Sequence, residues 1–389
     1  MPKLPALWER PVQGPRTHAL VVGASDYANL PPVGKAGGPE TLDLKRLRCA
    51  ALSAWRIQQW LYNAADELER PLASIRTLMS PSPEEIAAEP DLPTDYPRPT
   101  FAEFAKAAKA WRKAAKNDDD VTILYFAGHG LQADNTSPLL VLDDFADGVG
   151  GTYENTVRLQ NIIDGMAPSQ ETPMIAQTQY YFVDACRNTP PAMKAARSID
   201  SRSVFNDLND RDERSLAIFH ATTFGDEAAG IAGKTTNFCA ALLTALELSS
   251  DRSEGSGPNK RWIVTADMLK QGILDALADA KLPANAPLTQ SGSREMVVRR
   301  LTKAPEVELA IKIAPDDCIP TTQVEIRDGR FQLVKTFPEN GAQHPYAPRV
   351  PMGIYVLTAR PPDPYKPFEG EPVEITFRRN FDWPLDFKP

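Results

Sequence analysis

The sequence predicts an α/β protein, a mostly parallel sheet covered by helices on both faces, followed by a small all-β module. Three observations carry that reading. From residue 17 short apolar runs alternate with longer helical segments, the pattern of strands joined by crossover helices. Two of the runs, 121–127 (VTILYFA) and 180–183 (YYFV), are apolar throughout, as strands buried on both faces are. Beyond about residue 304 the helical periodicity stops, and short alternating runs punctuated by Pro and Gly take over.

The elements follow in order. Residues 18–23 (HALVVG) read as a first strand and 44–61 as a helix with Leu47, Ala51, Ala54, Trp55 and Leu61 along one side. A second strand is expected at 75–78. Six prolines make 80–99 a loop, after which Thr100 and Glu103 form a capping box that opens a helix over 101–116. The two apolar runs supply the central strands. A further strand at 216–219 (LAIF), helices at 236–248 and 265–280, and an edge strand at 295–301 (EMVVRRL) complete the sheet. The runs EVELAIKI, VEIRDGRFQLV, GIYVLTAR and VEITFRR then make the β module. The expected division is an N-terminal extension over 1–16, an α/β domain over 17–303 with a flexible linker at about 190–214, and a β-sandwich-like accessory domain over 304–389.

Composition narrows the function. The 389 residues exceed what one core usually supports, and the 42% hydrophobic and 24% charged content is ordinary for a folded chain. A net charge of -8 with no long basic block argues against a nucleic-acid partner. No 18-residue apolar run and no basic start with an apolar core is present, so the expectation is a cytoplasmic protein with no membrane partner. Cys49, Cys186, Cys239 and Cys318 are widely spaced with no CxxC pair, which suggests reduced thiols and neither a zinc site nor a disulfide framework.

Chemistry concentrates at two strand ends. In an open parallel sheet, ligands bind outside the carboxyl ends of the strands. His129 follows one buried run in the context Gly-His-Gly, and Cys186 follows the other in Asp-Ala-Cys. If those strands are neighbours, imidazole and thiol emerge side by side. A thiolate is the attacking form of cysteine, and an adjacent imidazole both accepts the thiol proton and stabilises the charge. The N–H groups of Gly130 and Cys186 are candidates for the oxyanion hole. Either residue alone would read as a buried thiol or a loop histidine. The pair of contexts, 57 residues apart, is close to the roughly 50-residue spacing of caspases.

YFAGHG and FVDACRN resemble the two signatures of bacterial caspase-like peptidases, the group of metacaspases and orthocaspases. HALVVGASDY, LRCAALSAWRIQQWL and SLAIFHATTFGDEAAG are similar to that family's first strand, first helix and a later strand and loop, so the resemblance spans about 17–301. It implies a caspase-hemoglobinase fold, a three-layer sandwich, with a Cys–His dyad on Cys186 and His129. It also implies a protein or peptide substrate, with Asp184 and Asp26 as substrate-binding candidates. A buried carboxylate at Asp184 would select Arg or Lys. A second family acid on the first helix aligns with Ser53. Family relatives further imply a regulated role in cell death or antiviral defence.

Other residues remain open at this point. His220 ends a strand without flanking glycines, while His18 and His344 read as structural. No cofactor is required, although Asp118 to Asp120 and Asp143 with Asp144 are candidates for the calcium sites of some metacaspases, against an ordinary turn at each. The linker carries Lys194, Arg197, Arg202, Arg211 and Arg214, which makes it a self-processing candidate. The segment PMGIYVLTAR resembles a strand of transthyretin-like and carboxypeptidase-regulatory sandwiches, and the β module is where a regulatory protein would bind. The rival to a peptidase is an inactive caspase-fold scaffold that binds protein partners.

Overall fold

The computed structural model describes residues 3–132, 138–149, 151, 153–170, 172–187, 189–190, 193, 202–205, 213–222, 231–250, 252–283, 286–292, 294–338, 343–375 and 380–388. Its first elements are strands β1 (Leu7–Glu9) and β2 (Thr17–Ala24), helix α1 (Ala50–Asn63), β3 (Leu72–Ser80), and helices α2 (Pro83–Ala88) and α3 (Phe101–Ala114). Next come β4 (Val121–Gly128), β5 (Gly130–Gln132), β6 (Pro138–Val141), β7 (Thr156–Arg158), α4 (Leu159–Gly165), β8 (Thr178–Ala185) and β9 (Ser215–His220). Helix α5 (Asn237–Leu248), β10 (Arg252–Glu254), β11 (Arg261–Thr265), α6 (Ala266–Asp279), β12 (Leu288–Ser291) and β13 (Val297–Leu301) follow. The remaining strands are β14 (Glu306–Ala314), β15 (Gln323–Asp328), β16 (Leu333–Phe337), β17 (Arg349–Pro351), β18 (Gly353–Arg360), β19 (Phe368–Glu369), β20 (Val373–Ile375) and β21 (Asn380–Asp386). The chain separates into two compact units, Met1–Thr244 with Ala276–Arg299, and Ala245–Asp275 with Arg300–Pro389.

The first unit holds a seven-stranded sheet in the order β1-β3-β2-β4-β8-β9-β12. Its five inner strands are parallel, and β1 and β12 close the two edges antiparallel. Every position of β2 and β4 is buried, which is why the sequence reads there as unbroken apolar runs. The chain passes from β2 to β3 on one side and then to β4 on the other, so the topological switch lies between β2 and β4.

Side chains alternate between the two faces. On one face α3 and α4 supply Phe104, Trp111, Ile162 and Ile163 to a cluster with Leu20, Val22, Leu124, Phe126, Tyr181 and Val183. The Trp111 indole N–H donates to the His18 carbonyl at 3.0 Å, so even this large side chain is satisfied inside the core. On the other face α1 lies against β2 so closely that a Cβ on Gly23 would collide with Ala50, Ala51 and Ala54. That approach is what the small residues of AALSA permit.

Several expectations are corrected. The first helix begins at Ala50 rather than 44, because the N–H groups of Arg46 and Leu47 donate to the carbonyls of Pro31 and Ser25 and hold that stretch as a loop. Ser25 Oγ accepts from the N–H groups of Ala50 and Ala51, both at 3.0 Å, and Glu85 accepts from Leu52 at 2.8 Å, so the helix is capped from outside its own sequence. Helix α2 lies inside the stretch expected to be a loop, opened by a capping box between Ser82 and Glu85. The extension expected over 1–16 contains β1, paired with β3. The strand at 295–301 forms as β13 but lies outside the seven-stranded sheet, whose edge is β12.

In the second unit, two sheets, β17-β14-β21 and β16-β15-β18-β19 with β20 on β18, share one core. Leu309 and Ile311 of β14, Val324 and Ile326 of β15, Leu357 of β18 and Leu385 of β21 are buried in it. Alternate positions of β14 face solvent, as the alternating sequence requires.

Glu85 joins α1 and α2, accepting from the N–H groups of Leu52 and Ser82 and from the Ser25 hydroxyl while itself buried. Glu85→Ala leaves these donors unmatched. The expected loss is about 2–5 kcal/mol, read as a lowered urea midpoint with an unchanged slope, and Glu85→Gln is expected to lose less.

Candidate active site

Strands β4 and β8 are parallel neighbours, paired Ala127 with Asp184 and Gly128 with Ala185. Carried one residue further, that register sets His129 level with Cys186. Adjacent strands lie about 4.8 Å apart, so the imidazole and the thiol start from neighbouring Cα positions. Gly130 brings the two loops closer still, since a Cβ there would run into the Cys186 carbonyl oxygen and the Ala185 methyl. Only glycine fits between them.

The histidine is held on three sides. Its main-chain N–H donates to the Tyr27 hydroxyl at 2.7 Å, its carbonyl accepts from Val141 at 3.0 Å, and its ring lies 5.1 Å from that of Tyr27. Ring Nε2 is 2.5 Å from the Lys45 carbonyl oxygen. A carbonyl can only accept, so the proton sits on Nε2 and the lone pair on Nδ1. Burial lowers the His129 pKa to about 4, which keeps the ring neutral at neutral pH with the Nδ1 lone pair unprotonated, and the Lys45 carbonyl acts in the opposite direction.

The candidate oxyanion donors are arranged as follows. Gly130 opposes Leu140 in the β5–β6 ladder, and Val141 N–H reaches the His129 carbonyl, so Gly130 belongs to a non-hydrogen-bonded pair and its N–H turns away from β6. Cys186 is half-buried immediately beyond β8 and is not in a disulfide.

Asp184 is buried at the end of β8 on the face that carries α1. Its Oδ2 accepts from the Tyr125 hydroxyl at 2.6 Å and from the Thr236 hydroxyl, while Oδ1 has no partner among the described residues. Burial raises its pKa to about 6, against the stabilising bonds from Thr236 and Tyr125. Ser53 stands in the same cluster, where its Oγ donates to the Cys49 carbonyl at 2.7 Å and accepts from Thr236 N–H at 2.8 Å. Asp26 is engaged elsewhere, with Oδ1 2.6 Å from Arg46 and Oδ2 3.5 Å from Arg98.

His220 pairs with Val183 in the β8–β9 register, three residues before the nucleophile candidate, and burial lowers its pKa to about 4. His18 Nδ1 bonds the Ser74 hydroxyl at 2.7 Å. His344 Nε2 accepts from Ile313 N–H at 2.8 Å. Three of the acids considered for calcium have other partners. Asp143 is gripped by Arg98, Asp144 accepts from Phe101 N–H at the start of α3, and Asp120 accepts from Arg16 and Asn117. Among the described residues no group of three or more His, Cys, Asp or Glu is placed to hold a metal ion. Lys194, Arg197 and Arg211 of the self-processing candidate lie outside the described residues. Arg202 stacks over Phe101 at 3.8 Å, and Arg214 is buried and donates to the Ile163 carbonyl.

The Lys45 carbonyl, Tyr27 and Thr236 are site components that the sequence reading did not single out. Tyr27 had a signal, since it ends the first-strand motif HALVVGASDY. A main-chain carbonyl has none.

A family profile described as a caspase domain matches residues 65–259, half of the chain. The chain belongs to the caspase-domain family. The fold expectation thereby stands, with a mostly parallel central sheet in a mixed α/β unit. Among solved structures, this caspase-family chain is similar to a structural-genomics target protein from Geobacter sulfurreducens, at 13% identity, with 72% of this chain and 95% of that one covered and a TM-score of 0.42. It is also similar to caspase-1 from Spodoptera frugiperda, at 12% identity, with 73% and 89% covered and a TM-score of 0.44. No curated protein sequence matches it. No helix among the described residues is long and apolar enough to cross a membrane.

Tyr27→Phe removes the acceptor of the buried His129 N–H and the donor to the Val141 carbonyl. A destabilisation of about 1–3 kcal/mol is expected, measured by chemical denaturation at neutral pH.

Proposed function

We propose that this caspase-family chain is a cysteine endopeptidase that cleaves protein substrates after basic residues, with Cys186 as nucleophile and His129 as base. The observation that carries the reading is the β4–β8 register, which sets the two residues level at neighbouring strand ends. In the reaction, His129 Nδ1 takes the Cys186 thiol proton as Sγ attacks the scissile carbonyl. The N–H groups of Gly130 and Cys186 receive the developing oxyanion. His129 then protonates the leaving amine, leaving a thioester on Cys186, and afterwards deprotonates the water that releases the acid.

Asp184 is the specificity residue in this reading. Its Oδ1, without a partner among the described residues, is a buried acceptor that a lysine or arginine side chain would satisfy, and a buried acceptor left unmatched is costly. Asp26 has both oxygens on arginines, so Asp184 acts without it. The metacaspase and orthocaspase group, with its roles in cell death or antiviral defence, is the proposed setting, and the second unit is the proposed site of a regulatory protein.

Peptides ending in Arg, Lys, Asp or Leu, assayed beside Cys186→Ala, test the reading. Cleavage after Arg and Lys that vanishes in Cys186→Ala is expected, and Asp184→Asn should reduce it roughly ten- to hundredfold, about 1.5–3 kcal/mol for a charge-assisted contact. Absence of Cys186-dependent cleavage of every peptide sinks the peptidase and favours the scaffold.

The pH profile divides the roles. Asp184 loses its charge below about pH 6, so kcat/KM for basic substrates should fall through that value on acidification. Loss of kcat at saturation should come lower, as His129 takes up a proton near pH 4. A kcat/KM profile flat from pH 7 to 5 would remove Asp184 from the pocket.

A further inference from the structure

The peptide group joining Lys45 to Arg46 is engaged at both ends. Its carbonyl oxygen accepts from His129 Nε2 at 2.5 Å, and its N–H donates to the Pro31 carbonyl at 3.0 Å. A trans peptide is planar with C=O and N–H opposed, so whatever fixes one end aims the other. The neighbouring N–H groups are tied as well, Leu44 to the Thr41 carbonyl and Leu47 to the Ser25 carbonyl.

What grips this loop from outside is Arg46. Its Nε donates to the Leu30 carbonyl at 2.9 Å, and Nη1 donates to Asp26 Oδ1 at 2.6 Å. The other Asp26 oxygen faces Arg98 Nη1 at 3.5 Å, and Arg98 in turn makes a two-pronged contact with Asp143 at 2.8 and 2.9 Å. Asp143 is buried, and its main chain is fixed by Ala28 N–H on its carbonyl and by its own N–H on the Pro99 carbonyl. A chain of ion pairs, hydrogen-bonded at Arg98–Asp143 and at Asp26–Arg46, therefore runs from a buried anchor to the residue whose peptide holds the histidine.

We propose that Arg46 and Asp26 are positioning residues for His129: their ion pair keeps the Lys45 carbonyl on Nε2 and so holds the ring in the tautomer whose Nδ1 is basic. The catalytic consequence rests on the reading of His129 as base, whereas the tautomer does not. Both partners are partly exposed, with side-chain exposures of 35% and 25%, and such pairs add little to stability. Removing the pair should change the state of the ring more than the stability of the fold.

The test uses the full chain with ¹⁵N-labelled histidine. The four histidines give separate long-range ¹H–¹⁵N ring patterns, and His129→Gln identifies the one of interest. In the native protein that pattern is expected to show protonated Nε2 and bare Nδ1. In Arg46→Ala and in Asp26→Asn it should shift to a mixture of tautomers, with kcat lowered about tenfold, KM changed less than twofold and the thermal midpoint nearly unmoved. Should Arg46→Ala fail to fold, Asp26→Asn, which keeps the side-chain volume, carries the test. A native tautomer pattern and native kcat in either folded variant overturns the proposal. A native chain without peptidase activity overturns the proposed function instead, and the tautomer pattern alone then decides this inference.

Discussion

Everything in the first unit that bears on chemistry depends on the in-register pairing of β4 with β8. Parallel strands advance together, so residues one step beyond Gly128 and Ala185 leave the sheet at the same height. A slip of one residue would turn the side chains of either strand to the opposite face and separate the imidazole from the thiol. The pairing is defended by burial: Leu124 and Phe126 of β4 and Tyr181 and Val183 of β8 share one core cluster under α3 and α4.

The loop after β2 complements that pairing. Gly23 lets α1 approach the sheet, and Ser25 with Glu85 caps the helix, which fixes where the loop ends. The Lys45 carbonyl is thereby presented to His129 across the switch between β2 and β4. Asp184 sits one layer below, with hydroxyls from Tyr125 and Thr236 on one oxygen and no partner on the other among the described residues. Its burial opposes ionisation, so the placement that would suit it to a cation under the proposed reading also makes its charge sensitive to mild acid.

The inner strands and the long helices were legible because burial on two faces, or on one stripe, leaves a periodic mark. Strand β1 was not, since three residues at a sheet edge carry too little pattern, and α2 was masked by the prolines around its capping box. The start of α1 was misread because Leu44 and Leu47 continue the apolar spacing while packing in a loop beside Tyr27 and Leu30. At the candidate site, His129 and Cys186 could be nominated from the sequence because their chemistry is written in side chains at strand ends. The Lys45 carbonyl could not, because every residue has one. Thr236 reaches Asp184 from 52 residues away, a contact that no local pattern encodes.

The central claim is that the strand register makes Cys186 and His129 a reactive pair, and the rate of thiol alkylation tests it most directly. With dilute iodoacetamide at pH 7, resolved by peptide mass spectrometry, Cys186 should be modified first and roughly tenfold faster than in His129→Ala. Cys49, whose thiol pKa is raised by burial to about 12, should remain unmodified over the same interval. Equal rates at Cys186 with and without the imidazole, or faster modification of Cys49, would contradict the account.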